Sequence, residues 1–438
     1  MKKIFALGIF FLLLITCAHS FDESTESRGG LENIDQASQV KKPAQETPIT
    51  FAPLTQGPLH LTATFSEPIL RNMVDAADIS PDGKISAALK DGAILFSPFN
   101  GGPLSSQTTE LSSIECLSRG ASPLWKWSED CSFVWTARRE VQHPSHFAIS
   151  GMQAVQIFPK GETRILPPLE HPAGLLDQLL WIDNKGKAFA EFGMKGGYYR
   201  PERENPDPTF AMVDASRGSI LDSFSIFKFA KEARVTINYP QAIGLANAAM
   251  TVLPDGRIKV LLDIPNIVGW VVWTQSEPPR LLANPYPQGL DKQIAMTPDG
   301  ECILVVQVLR TDGAVVSDTP GKEGYTPGKS VEGTLASLYE LNTGKKLWNI
   351  AAKITRDCSG TPPAPVISDD GRFALLRIPA EEEDPYIALV SMQDGKTLQR
   401  LPIHQKMDSS ANRMGFFQNG VWTQEGYDTV LYSWEGGK

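Results

Sequence analysis

The chain has 438 residues and a formal charge of -9. That acidic balance argues against nucleic acid as a partner and supplies no electrostatic attraction to an anionic membrane. The length exceeds what one ordinary hydrophobic core supports, a limit that repeat folds escape by adding units.

Lys2 and Lys3 precede an apolar run, Ile4 to Ile15, which suits a secretory h-region and is short for a bilayer span. Export to the cell envelope follows as an expectation, with residues 1–20 as the leader. Two cleavage sites compete. Leu14-Ile15-Thr16-Cys17 resembles a bacterial lipobox, which implies lipid attachment at Cys17; Thr16 departs from the small residue expected there. Ala18-His19-Ser20 fits ordinary signal peptidase instead. Loss of the leader removes two lysines and makes the chain still more acidic. Residues 21–50 are rich in Asp, Glu, Ser, Gln, Lys and Pro, bury little apolar surface, and read as a flexible linker.

From residue 51 to 438 one motif recurs. Ser80-Pro81-Asp82-Gly83-Lys84 lies between apolar runs, where Pro presets φ, Asp bonds nearby backbone and Gly takes a left-handed conformation. Versions follow at Ser128-Glu129-Asp130, Asn184 to Lys187, Pro254 to Arg257, Pro298 to Glu301, Asp369 to Arg372 and Gln418 to Gly420. Each joins two antiparallel strands, and the spacing points to an array of similar units. The fifth unit parses as four strands: Gln293 to Thr297, Cys302 to Leu309, Leu335 to Leu341 and Leu347 to Ala351. Only Phe224 to Ala233 reads as helical. The last unit stops one strand short, and an orphan strand, Leu59 to Phe65, precedes the first. The sequence therefore predicts an all-β fold, a seven-bladed β-propeller with an N-terminal strand closing the last blade. Of the remaining cysteines, Cys116 and Cys131 form the most local possible disulfide, with buried thiols the equal alternative.

Ser80 to Lys84 and its copies resemble the WD40-like propeller repeats of TolB-type periplasmic proteins. Tyr339-Glu340-Leu341-Asn342-Thr343-Gly344-Lys345-Lys346-Leu347-Trp348 is similar to the repeat of quinoprotein-like propellers, the BamB-like lipoproteins among them. These resemblances imply a blade architecture rather than an activity.

Function must then sit in loops. Strand alternation places the short Pro-Asp-Gly and Thr-Gly-Lys turns on one face. The long connections, at Arg138 to Ser145, Gly193 to Pro208, Ser225 to Asn247, Arg310 to Gly333 and Pro379 to Pro385, share the other. On this loop face Tyr198, Tyr199, Arg200, Tyr325 and Tyr386 are candidate partner-binding residues, with pinning of their own loops as the structural alternative. His143, His146 and His171 could approach a metal, but solvated loop histidines explain them better, and no metal or cofactor is expected. Glu381 to Asp384 reads as a solvated charge run. Gly324 to Ser330 lacks the spacing and the following helix of a phosphate loop. The tryptophans fall in or beside strands and read as packing between blades. The expected function is a monomeric, exported, lipid-anchored, noncatalytic propeller that binds a protein or envelope component through its loop face. The alternatives are a quinoprotein or amine-dehydrogenase-like enzyme and a small-ligand or sugar binder using a central channel.

Overall fold

The computed structural model describes residues 61–68, 76–90, 93–98, 108–109, 125–141, 149–174, 176–192, 209–235, 247–264, 269–282, 292–307, 331–354, 364–378, 386–402, 414–425 and 428–434. All of them fall within one compact unit, Ile49–Lys438.

Runs of β-branched and aromatic residues, each ended by a Gly, Asp, Asn or Pro turn, give short antiparallel strands. Blade 1 comprises β2 (Ala76–Ile79), β3 (Ile85–Lys90), β4 (Ala93–Pro98) and β5 (Thr108–Thr109). Blade 2 comprises β6 (Trp125–Trp127), β7 (Val134–Val141), β8 (Ile149–Ile157) and β9 (Thr163–Ile165). Blade 3 is built of β10 (Leu176–Ile182), β11 (Lys187–Phe192), β12 (Thr209–Asp214) and β13 (Ser219–Ser225). In blade 4 the strands are β14 (Asn247–Val252), β15 (Ile258–Asp263), β16 (Trp270–Thr274) and β17 (Arg280–Leu282). Blade 5 follows with β18 (Lys292–Met296), β19 (Cys302–Gln307), β20 (Val331–Glu340) and β21 (Lys346–Ile354). Blade 6 has β22 (Val366–Ile367), β23 (Phe373–Ile378), β24 (Tyr386–Ser391) and β25 (Thr397–Pro402).

The expected count of seven blades is corrected to six contiguous ones. Six blades are each made of four consecutive strands. The remaining sheet is not another such unit but a composite of the two ends of the chain. Its three C-terminal strands are β26 (Met414–Phe417), β27 (Gly420–Glu425) and β28 (Asp428–Trp434), and its fourth is β1 (Leu61–Pro68). β1 lies antiparallel to β28, from Leu61 opposite Trp434 to Pro68 opposite Asp428, with a bulge between Ala63 and Phe65. A missing outer strand at one end is thereby supplied from the other.

Core clusters between successive sheets close the circuit. Ile79 of blade 1 packs with Trp422 and Leu431 of the composite sheet, whose Val421 and Tyr432 pack with Leu375 and Leu389 of blade 6. Every seam carries a tryptophan: Trp127, Trp135, Trp273, Trp270, Trp348, Trp434 and Trp422, taken from the blade 1 to blade 2 seam round to the last. Tryptophan buries the largest apolar area of any side chain and keeps one donor for a specific partner, which suits it to joining two curved sheets.

Three further boundaries differ from the sequence reading. The helical segment is shorter, α1 (Ile226–Glu232), capped by Ser225 Oγ accepting from the Lys228 amide, with Ile226, Phe229 and Ala230 buried. β7 runs on to Val141, so Arg138 to Val141 is strand rather than loop. β20 begins at Val331 and pairs with β21 beyond the reach of β19, whose pairing ends at Val306 opposite Ala336. Cys131 and Cys302 are free thiols, and Cys116, the proposed partner of Cys131, lies outside the described residues.

Candidate functional site

Two faces follow from the strand order. Connections from first to second strand and from third to fourth lie on the turn face, and the others lie on the loop face. With one exception, 99–107, the turn-face links are between two and six residues long. Loop-face links reach 23 residues at 308–330, although 91–92 and 426–427 are only two residues each, so the long-loop character is not uniform around the ring.

The turn face is chemically self-contained. Ser80 Oγ donates to Asp82 Oδ1 (2.6 Å) and accepts from the Ile85 amide (2.9 Å), while Asp82 Oδ1 also accepts from the Lys84 amide (3.1 Å). Ser128 with Asp130 and Ser368 with Asp370 repeat this geometry, and Thr297 with Asp299 does so with a threonine. The Ser or Thr hydroxyl is thus the bridge that ties the turn to the following strand. Asp130 is held below the ordinary carboxylate range by the Ser128 hydroxyl, then by the Ser132 hydroxyl and amide. For Asp82 and Asp370 burial pulls the other way, but hydrogen bonds from Ser80 and Ser368 and from Lys84 and Arg372, two residues on, outweigh it. Blade 3 differs: burial raises Asp183 despite bonds from the Lys187 and Lys185 amides.

Turns also hold the neighbouring blade. Trp135 Nε1 donates to the Asn184 carbonyl (3.1 Å), and its ring lies against Gly186, where a Cβ would come within 2.6 Å. Trp348 Nε1 likewise donates to the Met392 carbonyl of blade 6 (2.8 Å). In blade 4 the position equivalent to Trp135 is Lys259, whose Nζ reaches the Gly300 carbonyl (2.6 Å). Burial lowers the Lys259 pKa, with Glu301 opposing the shift.

Of the loop-face candidates, Tyr386 is described. It opens β24 at the loop-face end, half-buried, packed against the blade 5 to blade 6 core. The guanidinium of Arg400, an exposed residue on β25, sits 4.7 Å from its ring centroid, within cation–π range. Arg400 was not legible as a partner, since the pairing follows only once the 393–396 turn sets Tyr386 opposite Pro402. Cys17, Tyr198, Tyr199, Arg200 and Tyr325 lie outside the described residues, as do His143, His146, Glu381 to Asp384 and Gly324 to Ser330. His171 serves its own turn. Its Nδ1 accepts from the Ala173 amide (3.0 Å), its ring tilts against Phe192 at 5.1 Å, and burial lowers its pKa. Among the described residues no group of three or more His, Cys, Asp or Glu is placed to hold a metal. Burial pushes the Cys302 thiol up to about 12, which makes it a poor nucleophile.

Closed circuit, four-stranded sheets and opposed turn and loop faces define an all-β propeller. No protein-family profile matches the chain, and no curated protein matches it in sequence. Among solved structures it is similar to Kuenenia stuttgartiensis hydrazine synthase, at 12% identity and TM-score 0.47, covering 82% of this chain and 95% of that one. It is also similar to a chain of a mitotic checkpoint complex, at 10% identity and TM-score 0.46, covering 92% and 99%. TolB from Acinetobacter baumannii is a third, at 12% identity and TM-score 0.33, covering 79% and 60%. At such identities the likeness is one of fold alone. The propeller assignment rests on the strand order and the sheets themselves, and nothing singles out a quinoprotein or BamB-like type.

Proposed function

We propose that this chain is an exported, lipid-anchored, noncatalytic propeller that binds a protein or other envelope component through its loop face. The observation that carries the reading is the asymmetry of the two faces. Turn-face polar groups are largely spent on their own turns and on neighbouring blades, whereas the loop face presents most of the long connections on a rigid support. The exposed Arg400 over Tyr386 adds an aromatic and guanidinium pair of the kind that interface centres favour. Anchoring rests on Cys17 and the apolar run before it.

The test compares three multiple-alanine variants: Tyr198, Tyr199 and Arg200; Tyr386 and Arg400; and, on the turn face, Lys84 and Lys396. Each is used to recover binding partners from envelope extract, with melting temperature as the folding control. Loop-face variants are expected to lose about thirtyfold in affinity, equivalent to about 2 kcal/mol for a central anchor. The turn-face variant is expected to bind as the parent does. Loss confined to the turn-face variant moves the binding surface to that side.

A further inference from the structure

The seam between blades 4 and 5 is built unlike the others. Among the residues whose burial is described, Lys259 and Lys292 are the buried lysines, and both sit in this seam. Lys259, near the start of β15 in blade 4, crosses to blade 5 at the turn-face end, where its Nζ donates to the Gly300 carbonyl (2.6 Å) and stands 3.8 Å from Glu301 Oε1. Lys292, the first residue of β18 in blade 5, crosses the other way at the loop-face end. Its Nζ is 2.8 Å from Asp263 Oδ2, with the two side chains 5% and 11% exposed, and 6.0 Å from the ring centroid of Trp270. Leu261, Val272, Ile294 and Ile303 fill the apolar stretch between these ends.

Charges in such a place have a particular consequence. An apolar seam can shift and repack with modest loss, because dispersion contacts are exchangeable. A buried ammonium cannot shift without stranding its carboxylate or carbonyl partner. A buried ion pair gains little over an apolar pair of the same volume, and its best-attested role is to fix register. We propose that Lys259 and Lys292 form a two-ended register clamp across the blade 4 to blade 5 seam, fixing the roots of the loop-face connections at 264–269 and 283–291. Asp263 ends the strand before the first connection, Trp270 begins the strand after it, and Lys292 begins the strand after the second. The clamp therefore sets where the first of these connections starts and finishes and where the second one finishes, whatever those loops bind.

Amide hydrogen exchange on the full chain tests this, because it needs no partner and so stands or falls apart from the binding assignment. Lys292→Met alone strands Asp263 and is expected to lower the melting temperature. Asp263→Leu with Lys292→Met is expected to restore melting to the parent value, yet the amides of Asp263, Trp270, Lys292 and their strand neighbours should exchange about tenfold faster or more. Amides of β23 and β24 should keep their parental rates. Lys259→Met should speed exchange at the turn end of the seam, around Gly300 to Cys302, and leave the loop end alone. Parental exchange at the seam in the apolar double variant would overturn the clamp. So would a double variant that melts as early as the single one with faster exchange in every blade, since that describes bulk stabilisation and not register.

Discussion

At Cys131 the backbone adopts φ of +57°, in a position where Gly83, Gly300 and Gly371 stand at +72°, +70° and +71°. Its amide donates to the Ser128 carbonyl as the Gly83 amide does to Ser80. A side chain in this left-handed conformation carries a steric cost that glycine avoids. Cys131→Gly is therefore expected to stabilise the protein by about 0.5–1 kcal/mol, net of the extra freedom glycine gives the unfolded chain, read as an increase in denaturant midpoint at unchanged slope. Sequence alone hid this. A cysteine in a chain expected from its leader to be exported invites a disulfide reading, and only the aligned turn geometry shows that the residue fills a glycine's place. The Pro-Asp-Gly triplets were legible because their backbone demands are local. The bridging hydroxyls of Ser80, Ser128, Thr297 and Ser368 were present two residues before each Asp but needed the closed turn to reveal what they bond.

The hairpin is the unit on which acid acts. Asp82, Asp130, Asp214, Asp255, Asp370 and Asp394 all have pKa values lowered from 3.8 in the folded chain. A lowered carboxylate contributes stability that is complete above its unfolded value and is lost as pH falls through its folded value. Asp183, raised by burial, works in the opposite sense: its contribution is present below its unfolded value and is lost as pH rises through the folded one. Six groups against one predict that melting temperature falls as pH drops below about 4, measured by thermal melts between pH 6 and pH 3. A flat profile over that range would show that these carboxylates titrate alike in the folded and unfolded chains. Strand positions in the later blades could be read from β-branched runs because their turns are short. Overshoot of β7 and β20 beyond their inner neighbours could not, since a strand that outruns its partner leaves the same residue pattern as a loop edge.

Across the whole molecule, the seven tryptophan-bearing seams make each sheet depend on two neighbours, so the circuit has no natural end except the one joined by β1. Removing residues 51–68 takes away the outer strand of the composite sheet and bares the edge of β28. That truncation is expected to lower the melting temperature and promote association in light scattering, whereas removal of residues 21–50 should leave melting unchanged. Equal melting of both truncations would show that β1 is dispensable. The terminal pairing was foreseeable, because a strand missing at one end and a spare at the other leave few arrangements. The charge pattern of the blade 4 to blade 5 seam arises from contacts distant in sequence and has no local signature.

The pairing of Leu61 with Trp434 also has a consequence in time. β1 leaves the ribosome ahead of every blade and can find β28 only when almost the whole 438-residue chain exists. Joining points so far apart costs on the order of 5 kcal/mol of chain entropy by the logarithmic law for loop closure. Each blade can meanwhile form from neighbouring strands, so local sheets should appear early and the final closure late. During that interval the edges of β1 and β28 wait for each other, and their pairing is the expected slow step of folding.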